Sequence, residues 1–357
     1  MLIGDTDLSK RLVVAPMADV SDSSFRYIAK KYGAGLTFTQ MVSAKGILEN
    51  DFSTLRYLAF SKNEKPIGVQ LLGSDPELVS AAVKEIKRYK PDTIDLNCGC
   101  PKDSVTKFKM GACLMNTPAN VGKLIAGMKK SAGDIPISAK FRLGENDKKI
   151  TLIENAKAAE DNGASFIIVH ARTKDDKYDQ SAKWGWLAKV KSSVNIPVIG
   201  NGSVFYPDDA VRMKEETGVD SVMVARGALG NPFLFSRYNS IVDNNYDPGV
   251  PGVKLVKDIL LEHIDKLQIE YGSVRSLNYI KKNTIWYFRD FTGISNFIEK
   301  IMAARSIEQI KELIEVHSEK IKNGDYPIED LDIIKQKFKM KVLFWLVKKP
   351  VFTENFG

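Results

Sequence analysis

Cysteine is scarce in this chain: three in 357 residues, at positions 98, 100 and 113. That excludes a disulfide framework and leads us to expect a reducing, cytoplasmic location. Histidine is equally scarce, with His170, His263 and His317 far apart. Cys98 and Cys100 form a C-x-C with only Cys113 elsewhere, which is too few closely spaced ligands for zinc, so no metal is expected. No apolar run nears the roughly 20 residues needed to cross a bilayer. Met1-Leu2-Ile3-Gly4 is followed at once by Asp5 and Asp7, so no signal peptide is expected. Neither G-x-G-x-x-G nor a P-loop occurs, which argues against a nucleotide-binding Rossmann unit; if electrons move here, a bound flavin must hold them. Short repeats and low-complexity segments are also missing. Charge of one sign is only mildly in deficit. Lys and Arg number 52 against 44 Asp and Glu, a net charge of +8 spread along both halves. That suits a polyanionic partner and suits a solvated surface equally.

What is present is alternation. Eight β-rich runs occupy residues 12–17, 36–41, 67–73, 93–99, 137–144, 166–172, 197–203 and 221–226. Helical patterns lie between most of them, at 22–32, 75–89, 117–130, 151–162, 184–192 and 207–216. Ser74-Asp75-Pro76-Glu77 and Tyr206-Pro207-Asp208-Asp209 place proline and acids in a first helical turn. Strands such as Phe166-Ile167-Ile168-Val169 are apolar throughout, as in a sheet covered on both faces. The pattern predicts an α/β fold, a (β/α)8 TIM barrel over residues 1–245, with an open doubly wound sheet as the rival. A Pro- and Gly-rich linker at 244–252 follows, and then helices only, at 253–270, 275–290, 294–305 and 307–321. A smaller all-helical C-terminal domain is therefore expected over 250–357. Its last stretch, 331–349, interleaves six lysines with Phe338, Leu343, Phe344 and Trp345. That pattern fits a solvated helix face and fits RNA contact.

Polar side chains stand at the strand ends, where a barrel carries its chemistry. Strand 1 leads into Ala15-Pro16-Met17-Ala18-Asp19, and strand 3 carries Gln70. Strand 4 ends in Asn97-Cys98-Gly99-Cys100-Pro101. Strand 5 bears Lys140 and Arg142, two apart and so on one face, and strand 6 gives His170 and Arg172. Strands 7 and 8 run into Asn201-Gly202-Ser203 and Ala225-Arg226-Gly227. The last two turns offer small residues, backbone N–H groups and a fixed cation where barrels often hold phosphate. A free thiol has a pKa of about 8.5, so Cys100 is either a proton carrier or, where its pKa is lowered, a nucleophile. Bland readings stand beside these. Cys98 reads as a buried small hydrophobe, and His170 alone reads as a satisfied core histidine. His263 and His317 read as surface residues on helical patterns, and Trp286-Tyr287 as helix packing. Lys140 and Arg142 could form an ion-paired layer, although two cations on an inner face favour an anionic ligand.

In order along the chain come Ala15-Pro16-Met17-Ala18-Asp19, Gln70, Asn97-x-Gly99-Cys100-Pro101 and Gly111-Ala112-x-Leu114-Met115. Lys140-x-Arg142, His170-Ala171-Arg172-Thr173, Asn201-Gly202 and Arg226-Gly227-Ala228-x-Gly230-x-Pro232 follow. Together they resemble the tRNA-dihydrouridine synthases across the whole barrel, and more weakly at Lys281-Lys282 and Trp286-Tyr287. The resemblance implies an FMN-dependent oxidoreductase that reduces uridine in tRNA with NADPH or NADH as electron donor. Pro16, Met17 and Ala18 would flank the flavin, with Gln70 near its pyrimidine edge and Lys140 and His170 against it. Asn201, Gly202, Ser203, Ala225 and Arg226 would hold its phosphate. Cys100 would act as the general acid and Asn97 would orient the uracil. Arg142, Arg172, Lys281 and Lys282 would contact tRNA. The chain departs from the family pattern at Ala225, where glycine is frequent, and at Asn283, where a basic residue or histidine is frequent. Two other readings compete: a flavin barrel acting on a free pyrimidine, and an RNA-binding scaffold without catalysis. The basic helical part speaks against the first, and Cys100, Lys140 and Arg226 against the second.

Overall fold

The computed structural model describes residues 1–326; the lysine-rich stretch 331–349 lies outside the described residues. Eight parallel strands form the ring of the sheet: β1 Val13–Val14, β2 Thr37–Phe38, β3 Ile67–Leu72, β4 Thr93–Cys98, β5 Ile137–Phe141, β6 Phe166–His170, β7 Val198–Asn201 and β8 Ser221–Val224; a ninth short strand, Val42–Ser43, pairs with the end of β3. Neighbours pair in sequence order from β2 to β8. β1 pairs with β8 on one side, and a bridge from Val13 to Leu36, next to β2, closes the ring on the other. This is a TIM barrel, not an open sheet. β1 is shorter than the expected run because Pro16 has no N–H to continue the ladder that Ala15 N extends to Val224 O, at 2.9 Å.

Successive strand side chains alternate between the barrel interior and the helix-facing side. Val13, Phe38, Phe166, Ile168, Ile199 and Met223 share one buried cluster inside the ring. Ile167, Val169, Val198 and Val222 pack outward against the helices. Ile3 and Leu8, from an N-terminal hairpin of Leu2–Ile3 with Thr6–Asp7, join the inner cluster and fill the bottom of the barrel. The same parity carries Gln70, Asn97, Lys140, His170 and Asn201 inward, one or two steps above that apolar floor.

The covering helices are α1 Ser23–Lys31, α2 Pro76–Ile86, α3 Pro118–Ala132, α4 Leu152–Asp161, α5 Gly185–Lys191, α6 Pro207–Thr217 and α7 Phe233–Asn244. The sequence pattern did not mark α7, nor the short helices Ala44–Leu48 and Phe52–Leu55 after β2. α7 opens with Phe233, Leu234 and Phe235 in a row, all buried, which blurs the three- and four-residue spacing of an amphipathic helix.

The C-terminal helices are α8 Val253–Tyr287, α9 Ile294–Ala303 and α10 Ile307–Asn323. Gly272 (φ 72°, ψ 165°) breaks α8 into two helices, as the pattern implied. Their core includes Ile28 of α1 and Phe233 of α7, so the helical part is packed onto the barrel. Glu270 accepts from Ser23 N (3.1 Å) and Ser24 N (2.8 Å) and so caps α1 from across the junction. Arg289 reaches the carbonyl of Leu229 at 2.8 Å. Gly230 (φ 60°) lies directly beneath the backbone of Trp286, where a Cβ would stand 2.2 Å from the carbonyl carbon; only glycine fits.

His263 and His317, expected at the surface, are buried at 1% and 2% exposure. His263 Nδ1 meets Tyr287 Oη at 3.2 Å, and His317 lies flat on Phe297 with ring centroids 3.9 Å apart. Burial lowers their pKa to about 3 and about 4 respectively, so both are neutral imidazoles. Trp286 and Tyr287 are packing residues, each 4% exposed.

Candidate active site

The strand ends and following loops surround one cavity of about 340 Å³. It brings together every residue assigned from sequence to catalysis or to the flavin, from Pro16 and Gln70 through Cys100 and Lys140 to Arg226, and it includes Arg142 and Arg172. Lys281 and Lys282 lie outside it on α8. Lys281 donates to Met302 O at 2.9 Å, and the Lys282 ammonium sits 5.3 Å from the Tyr279 ring. Asn283 is buried and donates back to Tyr279 O, so it does not replace the basic contact common at that position.

On the β4 side, Asn97 Oδ1 accepts from the backbone N–H of Gly99 (3.1 Å) and Cys100 (2.9 Å) and so shapes the turn that carries the thiol. Ala112 N donates to Cys100 O at 3.0 Å. Gly111 (φ 62°) approaches that carbonyl so closely that a Cβ would stand 2.6 Å from it, which explains the Gly-Ala pair in the sequence. Burial pushes the Cys100 thiol pKa up, against the pull of the Lys102 backbone N–H and of the cations Lys102, Arg142 and Lys140. Cys100 is therefore a neutral thiol at pH 7, suited to proton donation and not to nucleophilic attack. Cys98 is fully buried in the core, as expected of a structural residue.

From the adjacent β5 round to β8 the cations gather, and they begin beside the Cys100 turn. Burial, with Arg142 next to it, lowers the Lys140 pKa to about 8. Burial and Arg172 lower that of Arg226 to about 10. Burial, followed by Arg142, Lys140, Arg172 and Arg226, drives His170 well below its ordinary value, so it is neutral. Arg142 donates to Gly99 O (2.8 Å) and Thr173 O (2.7 Å); Arg172 donates to Ser203 Oγ (3.1 Å) and meets His170 Nε2 (3.0 Å). At 3% and 1% exposure, both arginines belong to the cavity wall. Any RNA contact they make is with a nucleotide inside the cavity. Trp184 Nε1 holds the Gly202 carbonyl at 2.9 Å, and Ser203 follows with φ 57°. Ala225 has φ −111° and ψ −98°, a pair outside the ordinary α and β regions, which a glycine, frequent at this position, adopts more freely than alanine.

The lining holds five cations (Lys102, Lys140, Arg142, Arg172 and Arg226) against the one surface carboxylate, Asp19. Lys102 is exposed, but Lys140, Arg142, Arg172 and Arg226 are buried or half-buried, and such an excess calls for an anionic ligand. An apolar flank at Ala15–Ala18, Met41 and Phe205, the side-chain amides of Gln70 and Asn97, and the cationic end by Ser203 and Arg226 match a flat ring system that ends in a phosphate. FMN fits this donor set. Sequence reasoning passed over Asp95 and Tyr178. Asp95 is a carboxylate at inward parity within an apolar strand. Tyr178 sits in a polar loop without periodicity, yet its ring lies 5.2 Å from the Arg226 guanidinium and 5.8 Å from that of Arg142.

The dihydrouridine synthase family model matches residues 13–323. A probable tRNA-dihydrouridine synthase 1 of Synechocystis is 33% identical over 315 residues, 88% of either chain. The tRNA-dihydrouridine synthase B of Shewanella oneidensis is 32% identical over 287 residues, covering 80% of this chain and 89% of that one. Among solved structures, a 2-naphthoyl-CoA reductase aligns with a TM-score of 0.56 at 11% identity, over 91% of this chain and 69% of its own. Histamine dehydrogenase from Rhizobium aligns at 0.51 and 16% identity, over 71% of this chain and 48% of its own. These two share the fold. The match of the family model across barrel and helices, with relatives this similar over nearly their full length, establishes that the chain belongs to the dihydrouridine synthase family.

Proposed function

We propose that this oxidoreductase reduces the C5=C6 bond of uridine in tRNA, with FMN as its resident flavin and NADPH or NADH as the electron source. The observation that carries the reading is a neutral thiol, Cys100, sharing one cavity with a wall of buried cations. Saturating the bond takes a hydride at C6 and a proton at C5, and FMN supplies the hydride when bound. Pro16, Met17 and Ala18 form an apolar flank for a flat ring. Gln70, Lys140 and His170 meet its polar edge and side chain. Asn201, Gly202, Ser203, Ala225 and Arg226 take the phosphate. Cys100 gives its proton to C5, and Asn97 holds the turn that presents it. Asn97 gives its oxygen to the Cys100 turn and one N–H to Gln70; its other N–H lies 3.9 Å from Met41 Sδ, a weak contact that the uracil would displace. A target base inside a duplex must leave its stack to enter so enclosed a site. The C-terminal helices α8 to α10 then grip the rest of the tRNA, with Lys281 and Lys282 on their contacting side.

Purified protein is expected to be yellow, and tRNA from cells lacking it is expected to lose dihydrouridine at defined positions. A colourless protein that takes up no FMN, or tRNA with an unchanged dihydrouridine content, overturns the reading. Arg226→Ala is expected to weaken FMN binding roughly 10- to 100-fold, the loss of a charged hydrogen bond of about 1.5–3 kcal/mol, measured by titrating apoprotein. Gly111→Ala forces the Cys100 carbonyl aside and is expected to slow dihydrouridine formation about tenfold or more while FMN stays bound; single-turnover kinetics measures it.

A further inference from the structure

The resemblance places Arg172 among the tRNA contacts, but its guanidinium is engaged inside the protein. Nε donates to Gln180 O (3.1 Å); Nη2 donates to the same carbonyl and to Ser203 Oγ (3.1 Å). Nη1 meets His170 Nε2 at 3.0 Å. These contacts occupy four of the five N–H groups of an arginine.

Three segments meet on this one side chain. Gln180 belongs to the loop 173–184 between β6 and α5, Ser203 to the turn after β7, and His170 to the end of β6. Ala182 N also donates to Ser203 Oγ, at 3.0 Å, and so ties the loop to the turn a second time. Tyr178, two residues before Gln180, turns its ring back toward His170, with centroids 6.3 Å apart and planes at 23°. The contacts close a circuit from Arg172 through His170 and Tyr178 to Gln180 and back.

All three acceptors of Arg172 are neutral groups, and burial with Arg142 nearby disfavours its charge. What suits an arginine to this place is its planar fork, which reaches several acceptors at once. A guanidinium only donates hydrogen bonds. His170 Nε2 must therefore accept, and the proton of this neutral ring sits on Nδ1.

We propose that Arg172 is a positioning residue and not a tRNA contact: it binds the 173–184 loop to the turn at 201–203 as one rigid piece and holds His170 in its Nδ1–H form. The loop side of the cavity is then in place before any ligand arrives, which spares the ligand the cost of ordering it. On the tRNA reading above, on which this inference rests, the phosphates of the tRNA are met by other cations.

Arg172→Met tests this. It removes a buried cation beside Arg142 and Arg226, which relieves repulsion, so the apoprotein is expected to melt within about 3 °C of the parent. Trypsin is expected to cut after Lys177, which is exposed, about tenfold faster or more, as the loop loses a charged hydrogen bond. Nitrogen NMR of the His170 ring in the purified protein is expected to lose the Nδ1–H signature of the parent, a change that a residue supporting the fold alone would not cause. The slope of log Kd for unfractionated tRNA against log salt is expected to stay parental, whereas loss of a phosphate contact flattens it by about one. A slope flattened by that amount, a parental cleavage rate or an unchanged His170 tautomer each overturns the proposal. If the methionine variant does not fold, Arg172→Lys takes its place. It keeps the charge, but one ammonium cannot span three acceptors, so faster cleavage and the tautomer change are still expected, and the absence of either refutes the proposal. A parent that binds no tRNA overturns the tRNA reading itself, while cleavage and tautomer still decide the role of Arg172.

Discussion

Cys100→Ala is expected to lower the rate of dihydrouridine formation by about 10²–10⁴-fold, the span that a positioned general acid contributes. FMN and tRNA binding should stay near parental, because the sulfur takes no part in the cation wall. Burial is what makes this thiol a proton donor. It raises the pKa against three neighbouring cations, so the protonated form is the one present at neutral pH. The backbone around it is held independently of the sulfur, by Asn97 Oδ1 on one side and Ala112 N on the other, so removing the sulfur leaves the turn in place. The measurement is single-turnover oxidation of the reduced flavin by tRNA, with dihydrouridine quantified by mass spectrometry. A variant within threefold of the parent would remove Cys100 from the chemistry. Because the folded-state pKa is raised, the donor form persists as pH rises through the free-thiol value, and activity should decline only on the alkaline side of it.

The second large effect concerns stability. Arg26 of α1 and Glu64, in the loop before β3, form an ion pair at 2.7 Å with side chains only 2% and 1% exposed. Glu64 Oε1 also accepts from Ser23 Oγ (2.9 Å) and Ser61 N (2.7 Å). Arg26 also donates to Ser21 O (2.8 Å) and Ala59 O (3.3 Å). Glu64→Ala leaves a buried guanidinium without its counter-charge and is expected to cost about 3–5 kcal/mol. Denaturant midpoints of apoprotein, with Arg26→Met/Glu64→Leu as the apolar control, measure it. A loss under about 1 kcal/mol would mean that water reaches the pair. The effect reaches the helical part, since the start of α1 is also where Glu270 caps the barrel.

The barrel was legible because burial on both faces forces apolar runs of strand length separated by helical periods. The site was legible because polar residues break those runs at the strand ends. His170 closes Phe166-Ile167-Ile168-Val169, and Asn97 with Cys100 closes β4. Asp95 was not legible. One carboxylate among apolar neighbours does not disclose that Gln70 and Ser138 arrive from the adjacent strands to receive it. His263 and His317 were misread for the same kind of reason. A histidine on a helix is buried or exposed according to what packs on that face, and Tyr287, Phe297 and Tyr326 come from elsewhere in the chain.

The sequence by itself determined the alternation of strands and helices, the inward parity of Gln70, Asn97, Lys140 and His170, and the family, because each follows from local spacing and residue type. Only the tertiary structure decided which charges share one cavity, which way the amides of Gln70 and Asn97 face, and that the Cys100 thiol is neutral. Desolvation and hydrogen-bond direction are properties of neighbours that closure of the barrel brings together from distant strands.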